Sequence, residues 1–245
     1  MKRLTLVTIV VACAAAAVAA FGGAATRDAA APATAASPST VERARLPALP
    51  SNIRRRGRFL IGVKCDAPPF GYINVRGENA GFDVDVARQF ARYAFGRADR
   101  VTFECAPTAS REPLLTTSRV DLVISTFTYT ADRDTRIDFS RAYYKASGRL
   151  LVKNDSPVQS LNDIKGRRVA TTSGSIYDRW MKRCFPDTQV IVTDSFTNAL
   201  LTFNQGRADA VMWDDTVLVG VAAADRTAKL TEDTFLALPY GIGIR

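Results

Sequence analysis

Arg168-Val169-Ala170-Thr171-Thr172-Ser173-Gly174-Ser175-Ile176 is the stretch whose reading decides the fold. A short run of small and β-branched residues ends in a Ser-Gly-Ser turn, and a helical pattern follows over Ile176–Cys184. Strand, tight turn and helix start is the unit that this order predicts. The same rhythm runs outward on both sides. Upstream, Phe59–Val63 is a short apolar run of the kind a buried strand carries, and 65–81 is a loop marked by Pro68, Pro69, Gly71, Gly77 and Gly81. Phe82, Val86, Phe90 and Ala94 recur every four residues and predict a helix over 82–95 that buries this face, with Asp83 and Asp85 favouring its first turn. Val101–Cys105 reads as strand, 111–118 as helix, 120–125 as strand and 149–153 as an extended segment. Downstream, Gln189–Thr193 reads as strand, 197–206 as helix, 208–213 as strand and Asp215–Ala224 as helix. Strands alternating with helices imply α/β architecture with parallel sheets. Two such units give two lobes, and ligands of open α/β sheets bind beyond the carboxyl ends of the strands, in the cleft that facing lobes form.

Composition removes several chemistries. The 245 residues contain no histidine, which excludes Ser-His-Asp and Cys-His catalysis and imidazole-ligated zinc. A 47% hydrophobic fraction is that of a globular chain, long enough for one large domain or two small ones. Acids are not clustered, so Asp214-Asp215 is a poor metal site and no cofactor is expected.

Met1-Lys2-Arg3, an apolar run from Leu4 to Ala20, and the small residues Gly22, Gly23, Ala24 and Ala25 form the pattern of a secretory signal peptide over 1–26, with an uncleaved membrane anchor as the rival reading. Val10-Val11-Ala12-Cys13 resembles a bacterial lipobox, which makes Cys13 the lipidation candidate, although it lies within the apolar run. Residues 27–52, rich in Ala, Pro, Ser and Thr, read as a flexible tether. Without Lys2 and Arg3 the net charge falls from +9 to +7. The basic residues come in clusters such as Arg54-Arg55-Arg56, without interleaved aromatics, which suits a solvated face near an anionic membrane and not a nucleic acid. Cys65, Cys105 and Cys184 remain after the leader, an odd count, and no C-x-x-C occurs.

Polar residues at strand ends carry the chemistry. Ser125-Thr126-Phe127-Thr128 follows a strand and Arg133 comes five residues later; carbonyl and hydroxyl oxygens suit an ammonium, and a guanidinium grips a carboxylate. Ser173-Gly174-Ser175 before a helix offers backbone N–H groups to an anion. Asp214 can pair with an amine while Asp215 caps the next helix. Singly these are an ordinary Thr-rich turn, a helix cap and a strand end. Together they complement an α-amino acid zwitterion.

Gly81-Phe82-Asp83-Val84-Asp85-Val86-Ala87 resembles the hallmark of the family 3 extracellular solute-binding proteins, the polar amino-acid receptors of ABC importers. The 120–128 strand with Arg133 resembles their lobe-one binding strand, Asp138-Phe139-Ser140 with Tyr143-Tyr144 their hinge approach, and Leu161-Asn162-Asp163-Ile164-Lys165-Gly166 their lobe-two entry. Ala208-Asp209-Ala210-Val211 and Tyr240-Gly241-Ile242-Gly243-Ile244 complete the likeness, which covers residues 53–245 in order. Lys64-Cys65-Asp66 and Thr108-Ala109-Ser110-Arg111-Glu112 look most like actinobacterial glutamate-binding receptors. The resemblance implies a two-lobed, type II periplasmic-binding-protein-like fold, with lobe one over 53–145, lobe two over 146–237 and a return strand over 238–245. It also implies further helices of lobe one beyond residue 245, absent here. In that reading Arg133, helped by Ser175 and its backbone N–H, takes the α-carboxylate, with Ser173 beside them. The Thr126 carbonyl, the Thr128 hydroxyl and Asp214 take the α-ammonium. Arg111 and Lys64 take a distal carboxylate, with Asp66 beside them, and Phe70, Tyr72 or Phe196 walls the pocket. Trp213 is large for its position and narrows the site. Cys65 and Cys105, which follow neighbouring strands, are the candidate disulfide. The implied ligand is glutamate or aspartate, with glutamine also compatible. The implied partners are an ABC permease and, through a lipidated Cys13, the outer face of the membrane. Rival functions are a dehydratase on the same fold, which would need Asp66, Glu78 or Asp215 as its acid, and an amino-acid sensor for a membrane regulator.

Overall fold

The computed structural model describes residues 48–245, so the leader, Cys13 and most of the tether lie outside the described residues. In chain order the first lobe contains α1 (Ser51–Arg56), β1 (Phe59–Val63), β2 (Asp66–Ala67), β3 (Gly71–Ile73), β4 (Asn79–Ala80), α2 (Phe82–Phe95), β5 (Val101–Cys105), α3 (Arg111–Thr116), β6 (Leu122–Ile124), α4 (Ala131–Asp134) and β7 (Asp138–Phe139). The chain then crosses on β8 (Tyr144–Lys153) into β9 (Arg168–Thr172), α5 (Ile176–Cys184), β10 (Gln189–Thr193), α6 (Phe196–Asn204), β11 (Ala210–Asp214), α7 (Asp215–Ala224) and β12 (Ala228–Leu230). It returns on β13 (Phe235–Tyr240) and ends in β14 (Gly243–Ile244). Ser51 and Asn52, at the end of the expected tether, begin α1, because Ile53 is buried against lobe one and orders the turn around it.

The sheet of lobe one runs β5-β1-β6-β14-β7 and that of lobe two β10-β9-β11-β8-β12, with β13 also on β8. The sheets are mixed, not parallel throughout. β1, β5 and β6 are parallel, as are β9, β10 and β11, but β14 runs antiparallel to β6 and β7, and β8 runs antiparallel to β11, β12 and β13. β8 and β14 are the reversed strands; each lies at a crossing between the lobes, and no helix directly precedes either to enforce a parallel direction.

Side chains alternate across each strand. Ile124 packs with Ile61, Val63, Val84, Ala87 and Ala91 on one face of the lobe-one sheet, and Val123 packs with Leu114, Leu115, Val120 and Phe127 on the other. The buried face of α2 is therefore Val84, Ala87 and Ala91, while Phe82 and Phe90 are 44% and 41% exposed. A strict four-residue spacing drifts around a 3.6-residue helix, and the small residues at 84, 87 and 91 let the helix sit close on the sheet. The segment 65–81, read as loop, holds the small antiparallel sheet β2-β3-β4, whose two- and three-residue strands are too short for periodicity to reveal. Cys65 and Cys105 are bonded, with Cα atoms 5.6 Å apart at a sequence separation of 40. A loop of that length is worth about 4 kcal/mol of lost chain entropy in the unfolded state. Cys184 is free and exposed.

Two crossings, before β8 and after β13, run side by side. The Tyr143 N–H donates to the Tyr240 carbonyl at 2.9 Å, and the Gly241 N–H donates to the Phe127 carbonyl at 3.0 Å. Phe70 packs edge-on against Phe82, Tyr144 and Tyr240, so an aromatic cluster fills the junction of the lobes.

Candidate functional site

The carboxyl ends of the central strands of both sheets open onto one small cavity of about 20 Å³. Lobe one contributes Thr108, Arg111, Thr126, Thr128 and Arg133, and lobe two contributes Ser175, Ile176, Tyr177, Trp213 and Asp214. This volume is that of about one water. The two lobes touch across it, Arg133 Nη2 donating to the Gly174 carbonyl.

Arg111 is set by the chain path. It opens α3, its Nε donates to the Thr108 carbonyl at 3.0 Å, and its Nη1 donates to the Ser125 and Thr126 carbonyls at 3.1 and 3.0 Å. The Nη2 carries no hydrogen bond among the described residues. Arg133 is held as firmly: Nη1 donates to the Thr128 carbonyl at 2.7 Å, Nε to Glu112 Oε1 at 3.3 Å, and Nη2 reaches across the cleft to the Gly174 carbonyl at 3.0 Å. Both guanidiniums lie against the Phe127 ring, 4.7 and 5.0 Å from its centroid. Burial, and then the charge of Arg133, push Arg111 down to about 9. Burial also lowers Arg133, against the opposing pull of Glu112. Two cations forced together without water are a site that an anion stabilises.

Asp214 faces them from the end of β11. Tyr177 on α5 donates to its Oδ1 at 2.6 Å, and the Tyr240 hydroxyl donates to its Oδ2. Burial raises the carboxyl and the two hydroxyls offset part of the rise. Burial first, then Asp214, hold both phenols well above their ordinary range, so they remain donors. Trp213 lies 4.8 Å from Phe196 between ring centroids, and its buried Nε1 has no hydrogen-bond partner.

Seven of the residues singled out from sequence therefore share the cavity wall: Arg111, Thr126, Thr128, Arg133, Ser175, Trp213 and Asp214. Within the protein these residues have partners of their own. The Thr126 carbonyl accepts from Arg111, and Ser175 caps α5, its Oγ accepting from the Asp178 N–H at 3.1 Å while its own N–H donates to the Thr172 carbonyl at 3.2 Å. Ser173 is off the wall, its N–H donating to the Thr193 carbonyl at 2.8 Å. Phe70 is off the wall as well, within the aromatic cluster at the lobe junction. Lys64 and Asp66 form a pair behind it. Lys64 Nζ is 3.2 Å from Asp66 Oδ1 and donates to Thr108 Oγ1 at 2.9 Å, and Asp66 Oδ2 accepts the Phe196 N–H of lobe two at 2.9 Å. Burial lowers Lys64, opposed by Asp66. Thr108, Ile176, Tyr177, Glu112 and Tyr240 escaped the sequence reading as site residues. Only Thr108, one helical turn before Arg111, left a trace in local spacing. Among the described residues no group of three His, Cys, Asp or Glu side chains is placed to hold a metal ion.

The description "Bacterial extracellular solute-binding proteins, family 3" fits residues 59–235. A glutamine-binding protein of Geobacillus stearothermophilus is 33% identical over 193 residues, which are 78% of this chain and 74% of the relative. The glutamate-binding protein GluB of Corynebacterium efficiens is 30% identical over 200 residues, covering 77% of this chain and 68% of its own. Among solved structures, the cysteine-binding protein of Campylobacter jejuni superposes with a TM-score of 0.77 at 27% identity, over 79% of each chain.

Proposed function

The chain belongs to the bacterial extracellular solute-binding proteins of family 3, and from that premise we propose that it is the exported receptor of an ABC importer for a dicarboxylic amino acid, glutamate or aspartate. The observation that carries this reading is the charge on the cavity wall. Arg111 and Arg133 put two guanidiniums on the wall against one carboxylate, Asp214, while Glu112 pairs with Arg133 from off the wall. Two guanidiniums facing the cavity suit a ligand that carries two carboxylates. In this reading Arg133 takes the α-carboxylate, Asp214 the α-ammonium, and the spare Nη2 of Arg111 the distal carboxylate. Glutamine is the second reading, favoured by the identity to the Geobacillus stearothermophilus protein.

A receptor role without chemistry is supported by the engagement of the buried acids: both Asp214 oxygens accept tyrosine hydroxyls, and Asp66 is shared between Lys64 and a helix start. Release of ligand to a permease follows from reopening the cleft. Export on the 1–26 leader, with or without acylation of Cys13, belongs to the same proposal.

A thermal-shift screen of the mature chain against the twenty L-amino acids tests it. A ligand that binds only the folded protein adds about 2.7 kcal/mol at a hundredfold excess over Kd. Glutamate and aspartate are expected to raise Tm most, with glutamine behind. A shift from arginine as large as that from glutamate would contradict the charge argument.

A further inference from the structure

Thr126 has φ 43°, in the left-handed region that a β-branched residue rarely occupies. It persists because both ends of its peptide are held. Its carbonyl accepts from Arg111 Nη1 at 3.0 Å, and its N–H donates to Asp83 Oδ2 at 2.8 Å. Asp83, the second residue of α2, is fully buried and off the cavity wall. Its other oxygen accepts the Tyr143 hydroxyl at 2.8 Å. Tyr143 in turn donates its N–H to the Tyr240 carbonyl at 2.9 Å, where the crossings meet, and the Tyr240 hydroxyl reaches Asp214. A continuous line of hydrogen bonds thus joins Arg111 on lobe one to Asp214 on lobe two, with Asp83 at its centre.

We infer that Asp83 is a positioning residue of the binding site: it holds Thr126 left-handed so that the Thr126 carbonyl fixes the Arg111 guanidinium, and through Tyr143 it ties that loop to the interlobe crossing. The inference rests on Arg111 and Asp214 being ligand partners. The charges that face Asp83 are cationic, Arg111 and Lys64, and burial pushes its carboxyl up to about 6 against the two hydrogen bonds.

The test is a cycle of Asp83→Ala, Asp83→Asn, Thr126→Gly and Asp83→Ala/Thr126→Gly, read as Kd for L-glutamate and L-glutamine and as Tm without ligand. An asparagine carbonyl can accept from Thr126 while its amide donates to the Tyr143 hydroxyl oxygen, so Asp83→Asn keeps both contacts. Asp83→Ala is expected to weaken binding about ten- to hundredfold, and Asp83→Asn to stay within about threefold. Glycine adopts a positive φ freely, so in the Thr126→Gly background the cost of Asp83→Ala shrinks at least about threefold, and the Tm loss shrinks with it. Additive losses, or equal damage from Asn and Ala, would overturn the inference and leave Asp83 as plain helix packing. If Asp83→Ala alone does not fold, folding of the double variant supports the inference and its failure overturns it. Absence of binding by the unmutated protein would strike the proposed function, and the Tm cycle would still decide the role of Asp83.

Discussion

Lobe one and lobe two face the same cavity with opposite equipment. On lobe one, Arg111 and Arg133 are gripped by main-chain carbonyls: Thr108, Ser125 and Thr126 for the first, Thr128 for the second. Arg133 also donates to the Glu112 carboxylate and, across the cleft, to the Gly174 carbonyl. On lobe two, the acid is held by side chains, with Tyr177 from α5 and Tyr240 from β13 converging on Asp214, and Trp213 keeps an unused donor. Tyr240 reaches Asp214 from the crossing strand, so the lobe-two half of the site is tied to the hinge. In the proposed function, recognition of the ligand's negative charge falls to lobe one, and Asp214 on lobe two takes the ammonium in a grip coupled to the crossing through Tyr240.

Removing a lobe-one cation should have the largest effect. Arg133→Ala leaves the Thr128 and Gly174 carbonyls without their partner and Glu112 with Arg136 alone, and every amino acid should lose about a hundredfold or more in calorimetric affinity. A loss confined to acidic ligands would move the α-carboxylate elsewhere. Arg111→Ala should change selectivity, lowering the glutamate-to-glutamine affinity ratio about tenfold. On lobe two, Trp213→Phe keeps the ring and removes the N–H. Glutamate and glutamine, whose side chains end in acceptors, should lose about fivefold, and an aliphatic analogue such as norvaline nothing. Equal loss for all three would make Trp213 a packing residue.

The smallest effect is on stability. The folded carboxyl of Asp83 stands at about 6, above the ordinary value of 3.8, because burial disfavours its charge. A raised acid stabilises the fold fully below its unfolded pKa, and that contribution is lost as pH rises through the folded value. Relative to Asp83→Asn, the unmutated protein should therefore gain about 1 kcal/mol in denaturant stability from pH 7 to pH 5. Comparing the two chains cancels the similar rise at Asp214. A flat difference would mean that Asp83 is solvated in the folded state.

Much of this was legible in local patterns. The strand-turn-helix order and the helix over 82–95 follow from residues near each other in sequence, as do Thr126, Thr128, Arg133, Ser175 and Asp214 as polar groups near strand ends, whereas their meeting on one wall with Arg111 is what the family resemblance implied. The rest depends on partners far apart. Lys64 and Asp66 are singled out as ligand groups by the resemblance, and nothing local reveals that Phe196, 130 residues beyond Asp66, presents its N–H to that carboxylate. Ser173 and Phe70 sit beside site residues in sequence but turn away, one to β10 and the other to the aromatic junction. Asp83 reads as a helix-dipole acid, and its bonds to Thr126 and Tyr143 span 43 and 60 residues. Strand direction was misread where β8 and β14 carry the chain between lobes, because alternation of helix and strand says nothing about a strand that follows no helix.

The most direct test of the central claim is the ratio of Kd values for L-glutamine and L-glutamate, measured by calorimetry on the unmutated chain and on Arg111→Ala. Tighter glutamate binding that collapses toward parity in the variant is the predicted result. Tighter glutamine binding, with a ratio indifferent to Arg111, would contradict the assignment of charge recognition to lobe one.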